Sequence, residues 1–219
     1  MKISLLCTHS DHPVNDWLFK WKIRHQEQHD IKIFRDRREL LGGDLLFLIS
    51  CSQIIDAKVR QKYRHVLVLH ASDLPLGRGW SPHVWTLLAG EKSITVSMLD
   101  AEDSVDTGAI WAKHTFEVPD HALNYEINAC LFEAELSLMD EALQMVARDD
   151  KPVPQSKEIA PSYYPKRSPE DSEIDPAMSL CELFNAIRVM DPHRYPAFFN
   201  LHGHTYTIEI KKVSPNDDD

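Results

Sequence analysis

Basic residues, glycine and cysteine are all scarce in this sequence. Lys and Arg together number 24 against 34 Asp and Glu, leaving a formal net charge of -10. Such a chain meets a phosphate backbone with the wrong long-range field, which argues against nucleic acid as the main partner. A local group of cations can still hold one small phosphorylated molecule. The four cysteines, Cys7, Cys51, Cys130 and Cys181, are far apart and form no CxxC pair. That fits reduced, mostly buried thiols in a cytoplasmic protein better than disulfides or zinc. No metal is expected, despite 12 histidines. No run approaches the roughly 20 apolar residues of a membrane span, and the apolar start Met1 to Cys7 is too short for a signal peptide. The seven glycines form no phosphate loop: Gly77-Arg78-Gly79 lacks the third glycine of a dinucleotide fingerprint and does not open from a strand.

What is present is enough for a core. Of 219 residues, 43% are hydrophobic, which suits one full domain with a short appendage. Strands are expected at Lys2 to Cys7, Ile31 to Phe34, Asp44 to Ser50, Val66 to Leu69 and Ile94 to Leu99. A helix is expected over Asn15 to Gln28, with Trp17, Leu18, Trp21 and Ile23 as its apolar stripe. Continuous apolar strands separated by helices predict an α/β fold with a doubly wound, mostly parallel sheet of six or seven strands. Ligands of such sheets sit beyond the carboxyl ends of the strands. The residues after strands three, four and five (51–55, 70–82 and 100–108) are therefore expected to face one crevice. Farther on, Asn124 to Arg148 reads as a helix and Lys151 to Pro165 as an ordered loop or linker. Ser179 to Met190 reads as a helix with a Ser179/Glu182 capping box, and Ala197 to Ile210 as a β-hairpin. Residues 1–150 are taken as one domain, 151–213 as a C-terminal extension, and 214–219 as a disordered tail.

Two segments carry candidate chemistry. His70 to Pro82 starts where strand four ends and holds two glycines and two prolines, which make an unusual loop. His70 is either a group that titrates near neutrality or a hydrogen-bonded strand cap. Asp100 to Gly108 places four carboxylates within seven residues. It reads as a solvated acidic turn, except that Val105-Asp106-Thr107-Gly108 suggests a fixed, partly buried carboxylate.

The loop from His70 resembles the HxSxLPxxxGxxP signature of the formyltransferase family, which includes methionyl-tRNA formyltransferase and sugar N-formyltransferases. Val105 to Gly108 resembles that family's V-D-x-G motif, and His70 and Asp106 stand 36 positions apart, as its catalytic pair does. Residues 163–175 look like its R-x-P-E-D-x-x-I-D stretch, and residues 191–199 like its Y-P-A-F segment. Four motifs in the family's order span most of residues 44–212.

The resemblance implies a Rossmann-like formyltransferase fold with a C-terminal helix and hairpin, and N10-formyltetrahydrofolate as co-substrate. His70 would be the acid/base residue, with Asp106 orienting and charge-stabilising it. Ser52, Gln53, Ile54 and Glu102 to Asp106 would hold the pterin, with a capped strand-to-helix turn as the alternative for residues 50–53. Ser72, Gly77, Arg78, Trp80, Tyr164, Lys166, Arg167, Arg188 and Tyr195 would hold the acceptor, joined by Arg194 and Tyr163. For the cations the alternative is surface pairing with Glu170, Asp171 and Glu173. For Trp80 and Trp85 core packing is the stronger reading. The chain departs from the family's N-x-H motif at Val68, which has no amide to hold the oxyanion. Ser72, Gln53 or protonated His70 are the candidate replacements. Among relatives the chain looks most like sugar N-formyltransferases of bacterial surface-glycan pathways, such as the pseudaminic-acid type. That implies a UDP- or dTDP-linked amino sugar as acceptor and a possible homodimer through the C-terminal region. Methionyl-tRNA formylation is set aside on length and charge. A binding homologue with weakened chemistry stays open because of Val68.

Overall fold

The computed structural model describes residues 1–213. The expected disordered tail, 214–219, lies outside the described residues. In chain order the elements are β1 (Lys2–Leu6), α1 (Val14–His25), β2 (Asp30–Phe34), β3 (Gly43–Leu48), α2 (Ala57–Arg60), β4 (Tyr63–His70), β5 (Arg78–Gly79), α3 (Pro82–Leu88), β6 (Ser93–Asp100), β7 (Ile110–Glu117), α4 (Asn124–Arg148), β8 (Tyr163–Tyr164), α5 (Leu180–Val189), β9 (Ala197–Leu201) and β10 (His204–Ile208).

Six strands form the central sheet in the order β2-β1-β3-β4-β6-β7. The first four run parallel, with Leu5 opposite Phe47 and Phe47 opposite Leu67. Alternate residues of these strands feed two cores. Leu5, Phe47, Leu67 and Leu69 pack with Leu18 and Trp21 of α1 and with Leu131, Leu138 and Met139 of α4. On the opposite face, Leu6, Leu46, Leu48 and Val66 pack with Leu40, Ile55 and Tyr63. Burial on both faces is why the strands read as continuous apolar runs rather than as alternation.

The fifth expected strand runs the other way. β6 pairs antiparallel with β4, with His70 opposite Ser97 and Leu67 opposite Asp100. Its carboxyl end therefore lies beside the middle of β4, not in line with the ends of β3 and β4. The connection explains the reversal. A seven-residue α3 rises about 10 Å, whereas eight residues of β4 cover about 26 Å, and the chain re-enters the sheet from the edge it left. Three further details differ from expectation. Ile23 is 49% exposed, only Cys7 of the four unpaired cysteines is fully buried, and β7 was not anticipated. β7 is an edge strand whose Lys113, His114 and Thr115 face solvent, so it carries no apolar run.

The C-terminal part has its own small core of Ile174, Leu183, Ile187, Met190 and Ala197. The α5 capping box forms as expected: Glu182 N–H donates to Ser179 Oγ, and Ser179 N–H to Glu182 Oε2. Side-chain amides join α5 to the rest, Asn185 donating to the Leu87 carbonyl at 2.6 Å and Asn124 to that of Val189 at 2.9 Å. Among the described residues no helix is long and apolar enough to cross a membrane.

Within α4, Glu135 faces the larger core, and its Oε2 has no hydrogen-bond partner. Burial pushes its carboxyl up to about 8 from 4.5. The folded chain thus keeps a proton that the unfolded chain releases near pH 4.5. Stability is full below that pH and falls as pH rises toward 8, by about 1.4 kcal/mol per pH unit. Glu135→Gln, which needs no proton, should gain on the wild type by that increment. Urea unfolding at pH 5 and pH 8 checks this, and an equal difference at both values would count against it.

Candidate active site

Strand alternation places Val66, Val68 and His70 on one face of β4, while Leu67 and Leu69 enter the larger core. His70 ends the strand, buried where the chain turns away from the sheet. The loop that follows is closed by its own side chains. Ser72 Oγ donates to the Leu76 carbonyl at 2.8 Å, and Ser97 Oγ of β6 donates to the Ser72 carbonyl at 2.7 Å. This folds Gly77 back over the histidine, and His70 Nε2 donates to the Gly77 carbonyl at 2.9 Å.

The acidic loop between β6 and β7 supplies the second member. Asp106 adopts a left-handed conformation (φ 57) and turns its carboxylate inward. Oδ1 lies 3.6 Å from His70 Nδ1, and the two side chains are 8% (His70) and 6% (Asp106) exposed. Oδ2 accepts the Gly79 N–H at 2.9 Å. The loop folds this tightly only because residue 108 is glycine: a Cβ there would lie 1.9 Å from the Asp100 carbonyl oxygen. The geometric expectation that residues after strand five share the crevice thus holds for Asp106, through its loop rather than its strand.

The segment expected as an ordered loop or linker is an ordered loop that packs on the site. Val153 exchanges two backbone hydrogen bonds with Ile110. Gln155 Nε2 donates to the carbonyls of Asp106 at 2.8 Å and Gly108 at 2.9 Å, and its Oε1 accepts from Arg78 at 2.6 Å. Gly77 N–H donates to Ser162 Oγ, and β8 pairs with β5, Gly79 opposite Tyr164. Gln155 and Ser162 escaped sequence reading; a polar stretch between prolines carries no signal of what it touches.

The expected site residues divide into those the fold gathers and those it spends elsewhere. Gathered beside Gly77 and Gly79 are Tyr164, stacked on Trp85 at 6.2 Å, and Trp80, whose ring lies 5.2 Å under the Lys166 ammonium. Trp80 is 44% exposed, so core packing is not its role. Trp85 Nε1 donates to the Pro165 carbonyl. Arg78 is engaged by Gln155 and by the Tyr163 hydroxyl and ring. Arg167 is buried against Ser172, Met190 and the Tyr195 ring, which Arg194 also approaches. Arg188 is buried and donates to the carbonyls of Pro119 and Ala122. Arg167 and Arg188 are buried and Arg78 is half-buried, and each donates to protein acceptors. Surface pairing with Glu170, Asp171 and Glu173 does not describe them.

On the other flank, Ser52 N–H donates to Thr8 Oγ1, and Gln53 is held by Arg37 N–H and Asp36. Ile54 and Val105 are 64% and 58% exposed, and Glu102 is exposed as well. Of the suggested replacements for the missing amide, Ser72 Oγ–H is used by the Leu76 carbonyl, and one N–H of the Gln53 amide reaches Asp36. Two more histidines lie near. Desolvation, with Arg194 beside His12 and with His12 and Arg167 near His83, pushes both imidazoles down to about 4. Both are therefore neutral at pH 7. Among the described residues, no three His, Cys, Asp or Glu side chains are placed to hold a metal ion.

Gly79 tests the junction of the glycine loop with residues 153–164, which run as a strap across the site. It has φ +99, and a Cβ would stand 2.4 Å from the Tyr164 carbonyl oxygen. Gly79→Ala should therefore cost on the order of 1–3 kcal/mol and loosen β5 from β8. Denaturant unfolding measures the loss, and a wild-type midpoint would show that the strap does not hold this backbone.

A family model described as formyl transferase matches residues 5–143. The human mitochondrial 10-formyltetrahydrofolate dehydrogenase is 31% identical over 175 residues, covering 78% of this chain. The chain spans only 18% of that relative's length. Among solved structures, a methionyl-tRNA formyltransferase from Clostridium thermocellum superposes with a TM-score of 0.80 at 21% identity, covering 99% of this chain and 95% of that one. A 4-N formyltransferase from Francisella tularensis superposes with a TM-score of 0.73 at 17% identity, covering 97% and 98%.

Proposed function

The chain belongs to the formyl transferase family, and from that premise we propose that it moves a formyl group from N10-formyltetrahydrofolate to the amine of a nucleotide-linked amino sugar. The observation that carries the reaction is the buried His70–Asp106 pair at the carboxyl end of β4. In this reading the acceptor amine attacks the formyl carbon, the carbonyl oxygen takes the negative charge, and N10 of the folate leaves. His70 gives its Nε2 proton to N10 as the folate leaves, and the amine proton is taken, through solvent, at Nδ1, the ring nitrogen that the Asp106 carboxylate faces.

Val68 removes the amide that relatives resembling this chain would aim at the oxyanion. His70 Nε2–H offers a substitute. A carbonyl can only accept, so Nε2 carries a proton in its contact with Gly77. A developing oxyanion is a stronger acceptor than a peptide carbonyl and would draw that donor over. The flanking surface suits a flat folate ring: Ile54 and Val105 expose apolar side chains on the loops after β3 and β6, with half-buried Val68 between them in strand order.

For the acceptor, Trp80, Lys166, Tyr164 and Trp85 present aromatic faces and a cation next to the glycine loop, a set that suits a nucleotide base and its phosphates. A solved sugar N-formyltransferase from Shewanella, matched over 98% of this chain and 99% of that one, supports a sugar amine. The length objection to methionyl-tRNA loses its force, because the Clostridium chain is matched over 95% of its residues. The charge objection stands, at -10 overall. Four unpaired cysteines fit a cytoplasmic setting, and the apolar Phe198, Phe199 and Leu201 of the hairpin support a homodimer. A second reading, a folate- or sugar-nucleotide-binding homologue with weakened chemistry, rests on Val68 alone.

Mass spectrometry of UDP- and dTDP-linked amino sugars incubated with the protein and N10-formyltetrahydrofolate tests the proposal. Wild type should yield a product heavier by one carbonyl. His70→Ala should lower kcat by about 10²–10⁴-fold, and Val68→Asn should raise it by at least about tenfold. Folate binding with no product from any acceptor, unrescued by Val68→Asn, would transfer the case to the binding homologue.

A further inference from the structure

The loop that presents Asp106 has little regular structure of its own, running irregularly from the end of β6 to the start of β7. Asp106 holds a left-handed backbone, which a residue with a side chain keeps only when its surroundings impose it. Gln155, more than forty positions away in sequence, meets that need. Its carboxamide lies half-buried against the turn and donates to the carbonyl before and the carbonyl after the tightest bend, those of Asp106 and Gly108. Its oxygen takes a hydrogen bond from Arg78, whose neighbour Gly79 donates its amide to the Asp106 carboxylate. The result is a closed ring of Gln155, Asp106, Gly79 and Arg78. One flat group supplies two donors and an acceptor, which among side chains of this length only glutamine provides.

We propose that Gln155 is a positioning residue for the His70–Asp106 pair: it fixes the turn that points the Asp106 carboxylate at the imidazole, and it ties that turn to the glycine loop covering His70. Gln155 makes no hydrogen bond to His70 itself; it acts through Asp106. The proposal rests on formyl transfer as the reaction of this site, so one arm of its test needs no turnover.

The test uses the full chain with Gln155→Ala and Gln155→Glu. Glutamate keeps the size and the acceptor for Arg78 but loses both donors, so it separates positioning from packing. Hydrogen–deuterium exchange of residues 101–109 and of the Gly79 amide should quicken about tenfold or more in both variants, with β3 and β4 exchanging as in wild type. Turnover with N10-formyltetrahydrofolate and an amino-sugar acceptor should fall about 10²-fold in kcat at unchanged KM. In an Asp106→Asn background the same substitutions should change kcat by less than about twofold, because the residue they position is already disabled. Wild-type exchange in Gln155→Glu, or losses that multiply with Asp106→Asn, would overturn the proposal. A wild type that transfers no formyl group would remove the function proposed above and leave exchange to decide on Gln155.

Discussion

The Asp106 carboxylate accepts the Gly79 amide with one oxygen and faces the His70 imidazole with the other. Most of what surrounds the sheet mouth serves that arrangement. The glycine at 108 lets the loop turn, Gln155 secures its carbonyls, and β8 pins the strand that offers the amide. A carboxylate this far from water is tolerable only with donors at both oxygens or a cation beside it. The constraint runs both ways: the glycine loop needs the carboxylate as much as the carboxylate needs the loop.

The sheet was legible because its strands are buried on both faces and written as unbroken apolar runs. β1, β3 and β4 fall where those runs are, and α4 spans the residues its periodicity marked. The direction of β6 was not legible. Parallel and antiparallel partners bury the same side chains, and the decision lies in how far the connecting chain travels. β7 was missed because an edge strand facing solvent has no reason to be apolar. At the site, His70 and Asp106 could be named from motif and spacing. The cations could not be sorted: an arginine bound to carbonyls and an arginine awaiting a phosphate look the same in sequence. Arg78, Arg167 and Arg188 each donate to a protein group: the Gln155 carboxamide oxygen, the Ser172 hydroxyl and the Ala122 carbonyl. Trp80 went the other way: read both as an acceptor residue and, more strongly, as core, it is half-exposed beneath Lys166.

Family membership and the sheet go together, and the His70–Asp106 pair sits at the sheet's mouth. In the proposed function the acceptor depends on the surface beyond the glycine loop, where one stacked aromatic pair and one tryptophan–ammonium pair gather. Such a surface selects by shape and stacking more than by a single decisive hydrogen bond. Specificity built this way tolerates related acceptors and shifts with few substitutions.

The strap over residues 153–164 also bears on how this architecture changes over time. It lies between the sheet domain and the terminal helix and hairpin, the place where a designer or a recombination event would cut. Yet its side chains and backbone grip the loops of the catalytic pair. An exchange of the terminal region that broke the chain at residue 150 would carry away part of the machinery it meant to keep. An exchange of the terminal region keeps these grips only where the chain is broken after Tyr164.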